Sequence, residues 1–211
     1  TRRQLDAKEA ELDNKEDQLR DQQRSIDELS IDLKQRETRV KELEKILEEQ
    51  EQKVNALKKK ISDALRGFSD SELTVEQRNG KIYVSLSEKL LFKSGSTTID
   101  KKGKEAIGLL ADVLKKNKDI DIQIEGHTDN VPYNGSGVIK DNWDLSVLRA
   151  TSIVRILVDD NSVDAKRITA SGRGEYCPVT ANDSKEGKAK NRRIEIVLSP
   201  KLDELLDIIG D

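Results

Sequence analysis

The residues best suited to bind a small charged ligand lie in two short segments near the middle of the chain. The first is Gly-His-Thr-Asp at 126–129, and the second runs from Asn142 to Ala150 with Arg149 near its end. An arginine offers a planar fork of N–H donors to a carboxylate, and an aspartate accepts hydrogen bonds from an ammonium group. Asp129 and Arg149 together therefore predict a clamp for a small ligand that carries both groups.

Composition divides the chain into two parts. Of its 211 residues, 37% are charged and only 3% are aromatic, so one large apolar core over the whole length is not expected. Residues 1–66 contain neither glycine nor proline, whereas all 12 glycines and all 3 prolines lie from Gly67 onward. We therefore predict a long coiled-coil helix at 1–66 and a globular domain at 67–211.

Charge and hydropathy argue against several classes of partner. The net charge of −3 gives no general attraction to nucleic acid or to an anionic membrane surface. No apolar run approaches the length that crosses a bilayer, and no signal-peptide pattern opens the chain. Thr1 starts directly inside the helical pattern, so contact with a membrane is expected only through an anchor upstream of this residue.

An apolar residue recurs at every seventh position of the N-terminal segment. Its members are Leu5, Leu12, Leu19, Ile26, Leu33, Val40, Leu47, Val54, Ile61 and Phe68. A strict seven-residue spacing favours a left-handed coiled coil. However, the matching d position is apolar at only four of nine places, and like charges such as Glu11 and Glu16 would face each other in a parallel dimer. Residues 5–65 could pair as a homodimer, and the helix could instead recognise another protein, but a self-supporting rod or spacer with a weak dimer seam is the favoured interpretation.

The remainder of the chain has the pattern of an α/β domain. Asn79-Gly80 between two alternating segments predicts a hairpin of strands at 73–78 and 81–86. Periodicity further predicts helices at 101–116 and 145–159, strands at 120–125, 168–172 and 193–198, a polar loop at 174–190 and a short helix at 202–209. This order indicates an α/β (α+β) two-layer sandwich with one mixed sheet.

Several motifs in this domain resemble a known family. They are Leu91-Phe92-Lys93-Ser94-Gly95-Ser96, Gly-His-Thr-Asp at 126–129, Asn142 with Leu-Ser-Val-Leu-Arg-Ala at 145–150, Gly172-Arg173-Gly174 with Pro178, and Asn-Arg-Arg-Ile-Glu-Ile at 191–196. In this order, over about residues 80–198, they resemble the OmpA-like peptidoglycan-binding domain. The same domain forms the periplasmic end of MotB-type flagellar stator proteins. The coil is not part of the resemblance.

The resemblance implies that the domain binds, without catalysis, the diaminopimelate residue in the peptide stem of peptidoglycan. Asp129 and Arg149 would hold the amino and carboxylate ends of the ligand. Hydrogen bonds would come from Thr128 and Asn142, and Arg192 would close the pocket. Lys93 departs from the small polar or acidic residue of many relatives, and it is expected to change affinity or ligand choice. No cofactor is implied.

The same resemblance implies a periplasmic place in the bacterial cell envelope. The domain would tether a membrane or envelope protein to the cell wall through the rod. An anchor in the outer membrane is expected, with the inner membrane as the alternative. A second hypothesis is a coiled-coil scaffold whose globular end binds a protein partner, for example in a stator-like assembly.

The only histidine and the only cysteine do not predict an enzyme or a metal site. His127 has no second histidine and no cysteine cluster beside it, so a packed or hydrogen-bonded role is expected. Cys177 precedes a proline in a polar loop and carries no nucleophile signature. We therefore expect neither catalysis nor a bound metal.

Overall fold

A single helix, α1, covers most of the N-terminal segment, from Arg2 to Ala64. The computed structural model describes residues 2–92, 96–135 and 137–201, so Lys93 and the helix predicted at 202–209 lie outside the described residues. Ion pairs one turn apart support α1 along its surface, such as Asp32 with Arg36 at 2.9 Å. Within the part of the chain described, no helix combines the length and apolar character needed to cross a membrane.

The seven-residue stripe of α1 changes its environment along the helix. From Leu5 to Leu47 its members are 52–64% exposed, whereas Val54 and Ile61 are 3% and 0% exposed. Contacts accordingly divide the chain between Glu49 and Gln50 into two compact units. The last turns of α1 therefore belong to the apolar core of the second unit.

The second unit contains a mixed five-stranded sheet with helices. In chain order its elements are β1 (Leu73–Arg78), β2 (Lys81–Ser87), α2 (Glu88–Leu91), α3 (Lys101–Lys116), β3 (Ile120–His127), α4 (Asn142–Arg155), β4 (Ile168–Gly174), α5 (Lys185–Asn191) and β5 (Arg193–Pro200). The strand order is β1-β2-β5-β3-β4. Among the strands of the described residues, only the β3–β4 pair is parallel. The predicted fold class is confirmed.

Alternation along the central strands separates an apolar face of the sheet from a polar one. Val84, Ile124 and Ile196 lie opposite one another across β2, β3 and β5, and each is fully buried. Ile107 of α3 and Ile153 of α4 are fully buried in the same core. Burying one such side chain contributes about 1.5–3 kcal/mol, so this face provides most of the packing stability.

Two helices differ from the predicted boundaries because of their capping residues. α4 begins at Asn142, three residues earlier than predicted, since the Asp141 side chain accepts a hydrogen bond from the Asp144 amide at 2.9 Å. Within the predicted loop 174–190, Ser184 caps α5 in the same way. Arg149 therefore lies two turns inside α4, away from the free amides at its start.

Two glycines in neighbouring strands allow α4 to lie directly on the sheet. A methyl group on Gly126 of β3 would overlap the backbone carbonyl of Ser146, and one on Gly172 of β4 would lie 2.5 Å from the Ser146 hydroxyl. Ser146 is fully buried, and its hydroxyl accepts a hydrogen bond from the Gly174 amide at 3.2 Å. The absence of side chains at these glycines thus fixes the height of α4 above the sheet.

We predict that Gly126→Ala destabilises the domain by at least about 2 kcal/mol, because rigid backbone must move to accept the methyl group. Gly108→Ala in α3 is the matched control, since only the Asn161 side chain lies near its new methyl, at 3.7 Å. There the change should be neutral or stabilising by about 0.5–1 kcal/mol. Urea unfolding measures both, and equal stability of the two variants would contradict the assigned role of Gly126.

Candidate functional site

Asp129 provides a buried carboxylate just beyond the end of β3. It is 6% exposed. One of its oxygens accepts a hydrogen bond from the Val131 amide at 3.0 Å, which fixes the turn that leaves the strand. The other accepts from Arg192 Nη1 at 2.5 Å. The carboxylate is therefore oriented by its own loop and by the residue that precedes β5.

Arg149 provides a guanidinium that is almost completely removed from solvent. It is 2% exposed, and its Nε donates a hydrogen bond to the Ser96 carbonyl at 3.2 Å. The guanidinium carbon lies 5.0 Å from the centre of the Phe92 ring, within the range of a cation–π interaction. A buried charge of this kind requires a counter-ion.

Glu88, the first residue of α2, supplies that counter-ion. One carboxylate oxygen pairs with Arg149 Nη2, and the other accepts from Arg192 Nε at 2.5 Å. Asp129, Arg192, Glu88 and Arg149 thus form a continuous chain of alternating charges. Burial lowers the pKa of Arg192, but its hydrogen bonds to Asp129 and Glu88 outweigh this and raise it above the usual value.

Glu88 is not among the site residues predicted from the sequence. Its local signal is that of a helix start, because the Ser87 hydroxyl accepts a hydrogen bond from the Leu90 amide and an acidic residue follows. Its partners are 61 and 104 residues away along the chain. Only the packing of α2 beside α4 and the start of β5 brings these residues together.

Thr128 and Asn142 hold the loop next to the carboxylate of Asp129. The Thr128 hydroxyl donates to the Asp129 carbonyl at 3.0 Å. Asn142 Nδ2 lies within donor distance of the Asp129 carbonyl, the Val131 carbonyl and a Glu175 carboxylate oxygen, at 3.4, 3.0 and 3.1 Å. Both side chains make hydrogen bonds within the protein, so their contact with a ligand stays a prediction.

Two neighbouring arginines, Arg192 just before β5 and Arg193 at its first position, have different partners. Arg192 joins the charged chain described above, whereas Arg193 Nε donates to Glu195 at 2.9 Å on the polar face of the sheet. The fully buried Asn191, the last residue of α5, accepts a hydrogen bond from the Val179 amide at 2.9 Å and thereby holds the preceding loop. One arginine of the pair therefore serves the candidate site.

His127 lies in a separate buried cluster on the polar face. Its Nε2 is 3.5 Å from a Glu125 oxygen and 3.9 Å from a Glu195 oxygen, and among the described residues its ring makes no hydrogen bond. Ligand atoms of these three residues lie within 4.8 Å of one another. Arg173 and Arg193 already pair with the two glutamates at 2.8 and 2.9 Å.

A divalent cation would therefore add two positive charges to a buried cluster whose carboxylates are already compensated. Desolvated like charges are costly, so the arrangement fits an ion-pair network better than a metal site. Glu125 and Glu195 lie directly opposite each other on β3 and β5. Without the arginines their repulsion would weaken this strand pair. We assign the cluster to joining β3, β4 and β5.

The mixed sheet with its helices defines the class of this α/β domain, and the candidate site lies where β3, α2, α4 and β5 meet. The sequence profile of the OmpA family matches residues 91–192 of this chain. Residues 91–192 therefore belong to a domain of the OmpA family, and the relatives of the chain include MotB proteins, as the motifs had indicated.

Three similar proteins illustrate the range of the family. Motility protein B of Bacillus subtilis is 34% identical over 132 residues, 63% of this chain and 50% of that protein. Probable lipoprotein YiaD of Escherichia coli is 33% identical over 141 residues, 67% and 60% of the two chains. The solved structure of the cell wall anchor of the T6SS from Pseudomonas aeruginosa is 31% identical with a TM-score of 0.60, covering 69% of this chain and 97% of that one.

The chain therefore spans half to 60% of the length of the motility protein and the lipoprotein. The shared segment alone does not establish what either of those proteins does as a whole. The structural match, by contrast, covers nearly the full anchor domain of the third protein.

The ion-pair network predicts a specific loss of stability in acid. The His127 imidazole and the Arg173 guanidinium lower the pKa of Glu125 from 4.5 to about 2. Because the folded state favours the charged form, this stabilisation is complete above about pH 5 and is lost as the pH falls toward 2. The free energy of unfolding, measured with urea between pH 7 and 2, should fall as the pH is lowered. Arg173→Gln should move this fall to higher pH, and Glu125→Gln should make it smaller. The same pH dependence in all three proteins would contradict this assignment.

Proposed function

We propose that residues 67–211 bind the diaminopimelate-containing peptide stem of peptidoglycan without catalysing its cleavage. The observation that carries this proposal is the buried chain of alternating charges from Asp129 through Arg192 and Glu88 to Arg149. Two carboxylates and two guanidinium groups balance to zero. Such a site suits a zwitterionic ligand better than a simple anion or cation.

The roles follow from the hydrogen-bonding capacity of each group. Asp129 accepts from the ligand ammonium, and Arg149 donates to the ligand carboxylate. Arg192, which is the most exposed of the four charged side chains, closes the pocket after the ligand has entered. Thr128 and Asn142 supply hydrogen bonds at the loop. The Thr128 hydroxyl donates to a backbone carbonyl rather than to a base, so these groups form no activated nucleophile–base pair, which supports binding rather than turnover.

We further propose that residues 1–66 act as a rod that links this domain to a membrane or envelope partner. The names of the relatives support such a tether, since one is a cell wall anchor, one a motility protein and one a probable lipoprotein. A periplasmic place in the cell envelope follows. Attachment to the outer membrane suits the lipoprotein, and attachment to the inner membrane suits the motility protein.

The exposed stripe of α1 favours a further, protein-binding role for the rod. Since Val54 and Ile61 are buried in the second unit, the apolar positions open to a second copy run from Leu5 to Leu47. This restricts the proposed homodimer to a shorter seam than residues 5–65. Sedimentation equilibrium of the chain tests it, and a monomer at all concentrations would exclude it.

Loss of either end of the clamp should abolish binding to peptidoglycan. We predict that Asp129→Ala and Arg149→Ala each weaken binding of meso-diaminopimelate at least tenfold, because a charge-assisted hydrogen bond contributes about 1.5–3 kcal/mol. Calorimetric titration with diaminopimelate and co-sedimentation with intact sacculi provide the measurements.

Arg155→Ala is the matched control, since Arg155 is an exposed arginine in the same helix α4. It should bind like the wild type. Retention of wild-type affinity by both Asp129→Ala and Arg149→Ala, with circular dichroism showing that they are folded, would exclude this site.

Glu88 should compete with the carboxylate of the ligand for the two arginines. Glu88→Gln leaves the Arg149 guanidinium, 3% exposed, without its counter-ion, so the free protein should lose about 2–3 kcal/mol of stability. A ligand carboxylate restores the lost charge pairing. Diaminopimelate should therefore raise the melting temperature of Glu88→Gln more than that of the wild type. An equal or smaller rise would show that Glu88 does not occupy the position of a ligand carboxylate.

A further inference from the structure

The only tryptophan of the chain lies on the surface of the domain. Trp143 is in the first turn of α4 and is 47% exposed, and Tyr176, which follows β4, is 65% exposed. Their rings are stacked, with centroids 5.3 Å apart and planes inclined by 24°. Only 3% of the residues are aromatic. Two large rings placed together in solvent, rather than in the core, therefore indicate a contact surface for a partner.

This aromatic pair adjoins the candidate site through neighbouring residues. Asn142 precedes Trp143, Glu175 precedes Tyr176, and the Asn142 amide donates to the Glu175 carboxylate at 3.1 Å. The same amide nitrogen lies 3.4 Å from the Asp129 carbonyl. Through Asn142 and Glu175, the segments that carry the two rings are therefore joined to the loop that positions Asp129.

We propose that Trp143 and Tyr176 form a subsite for a sugar ring of the glycan strand that carries the stem peptide. One face of a pyranose presents C–H groups, which the electron-rich face of an aromatic ring attracts, while its hydroxyls remain at the rim. The Glu175 carboxylate can accept a hydrogen bond from such a hydroxyl. The inference rests on the proposed function, because the stem peptide determines which sugar reaches the rings.

The covalent structure of the ligand supports this occupant. Diaminopimelate lies a few residues along the stem from the sugar. In an extended peptide this places the sugar on the order of 10 Å from the diaminopimelate. A peptidoglycan fragment that keeps its sugars and is bound through its diaminopimelate therefore brings a sugar ring close to the site. Rigid aromatic side chains bind such a ring with little loss of side-chain entropy.

The test compares three probes on the full 211-residue chain by calorimetry. They are a disaccharide carrying the diaminopimelate stem peptide, the same peptide without sugars, and the disaccharide without peptide. We expect the first probe to bind about five- to tenfold more tightly than the free peptide. Trp143→Ala and Tyr176→Ala should remove this advantage and leave the affinity for the free peptide unchanged. Leu109→Ala, which removes another exposed apolar side chain, in α3, is the control.

Fluorescence gives an independent readout, because Trp143 is the sole tryptophan. Its emission should change with both sugar-containing probes and not with the free peptide. If the first two probes bind with equal affinity, or if Trp143→Ala weakens the binding of both probes equally, the subsite is overturned and the proposed function is left intact. Binding of the disaccharide alone, without any binding of the free peptide, would support the subsite while excluding the diaminopimelate site. Absence of binding by all three probes would overturn both.

Discussion

The close packing of α4 on two strand glycines is the constraint on which the rest of this domain depends. Gly126 and Gly172 leave space for the backbone and hydroxyl of Ser146, so the helix lies directly against β3 and β4. That position determines where Arg149 points into the charged chain and where Trp143 meets Tyr176. A side chain on either glycine would move the helix, and both groups would move with it.

The candidate site and the His127 cluster on the polar face share one electrostatic feature. Every buried carboxylate in these two clusters has a guanidinium partner. At the candidate site, Glu88 and Asp129 share Arg192, and Glu88 also neutralises Arg149. On the polar face of the sheet, arginines compensate two glutamates that would otherwise repel each other across β3 and β5. The first cluster is balanced and reaches solvent through Arg192, which is 32% exposed, so the proposed zwitterionic ligand can exchange with its internal pairs. The second cluster also reaches solvent, through Arg173, which is 47% exposed, but its ion pairs serve the sheet.

Sequence patterns predicted the elements well where burial and local geometry agree. The hairpin around Asn79-Gly80, helix α3 and the alternating strands all match the structure, because their apolar positions repeat with the period of the element that buries them. The start of α4 and the existence of α2 and α5 were missed. Each begins after a capping aspartate or serine, and α2 and α5 are too short to show a helical repeat of apolar residues.

The sequence by itself determined the long helix, the mixed α/β domain and the charged residues available to a ligand, since these follow from composition and from short-range spacing. Only the tertiary structure decided how those charges are connected. Glu88 and Arg192 are 104 residues apart, yet they share a hydrogen bond because β2, which leads into α2, ends beside the start of its neighbouring strand β5. Likewise, burial of Val54 and Ile61 separates the end of the seven-residue stripe from its exposed part. Contacts between distant segments depend on packing of the whole core, which no local pattern encodes.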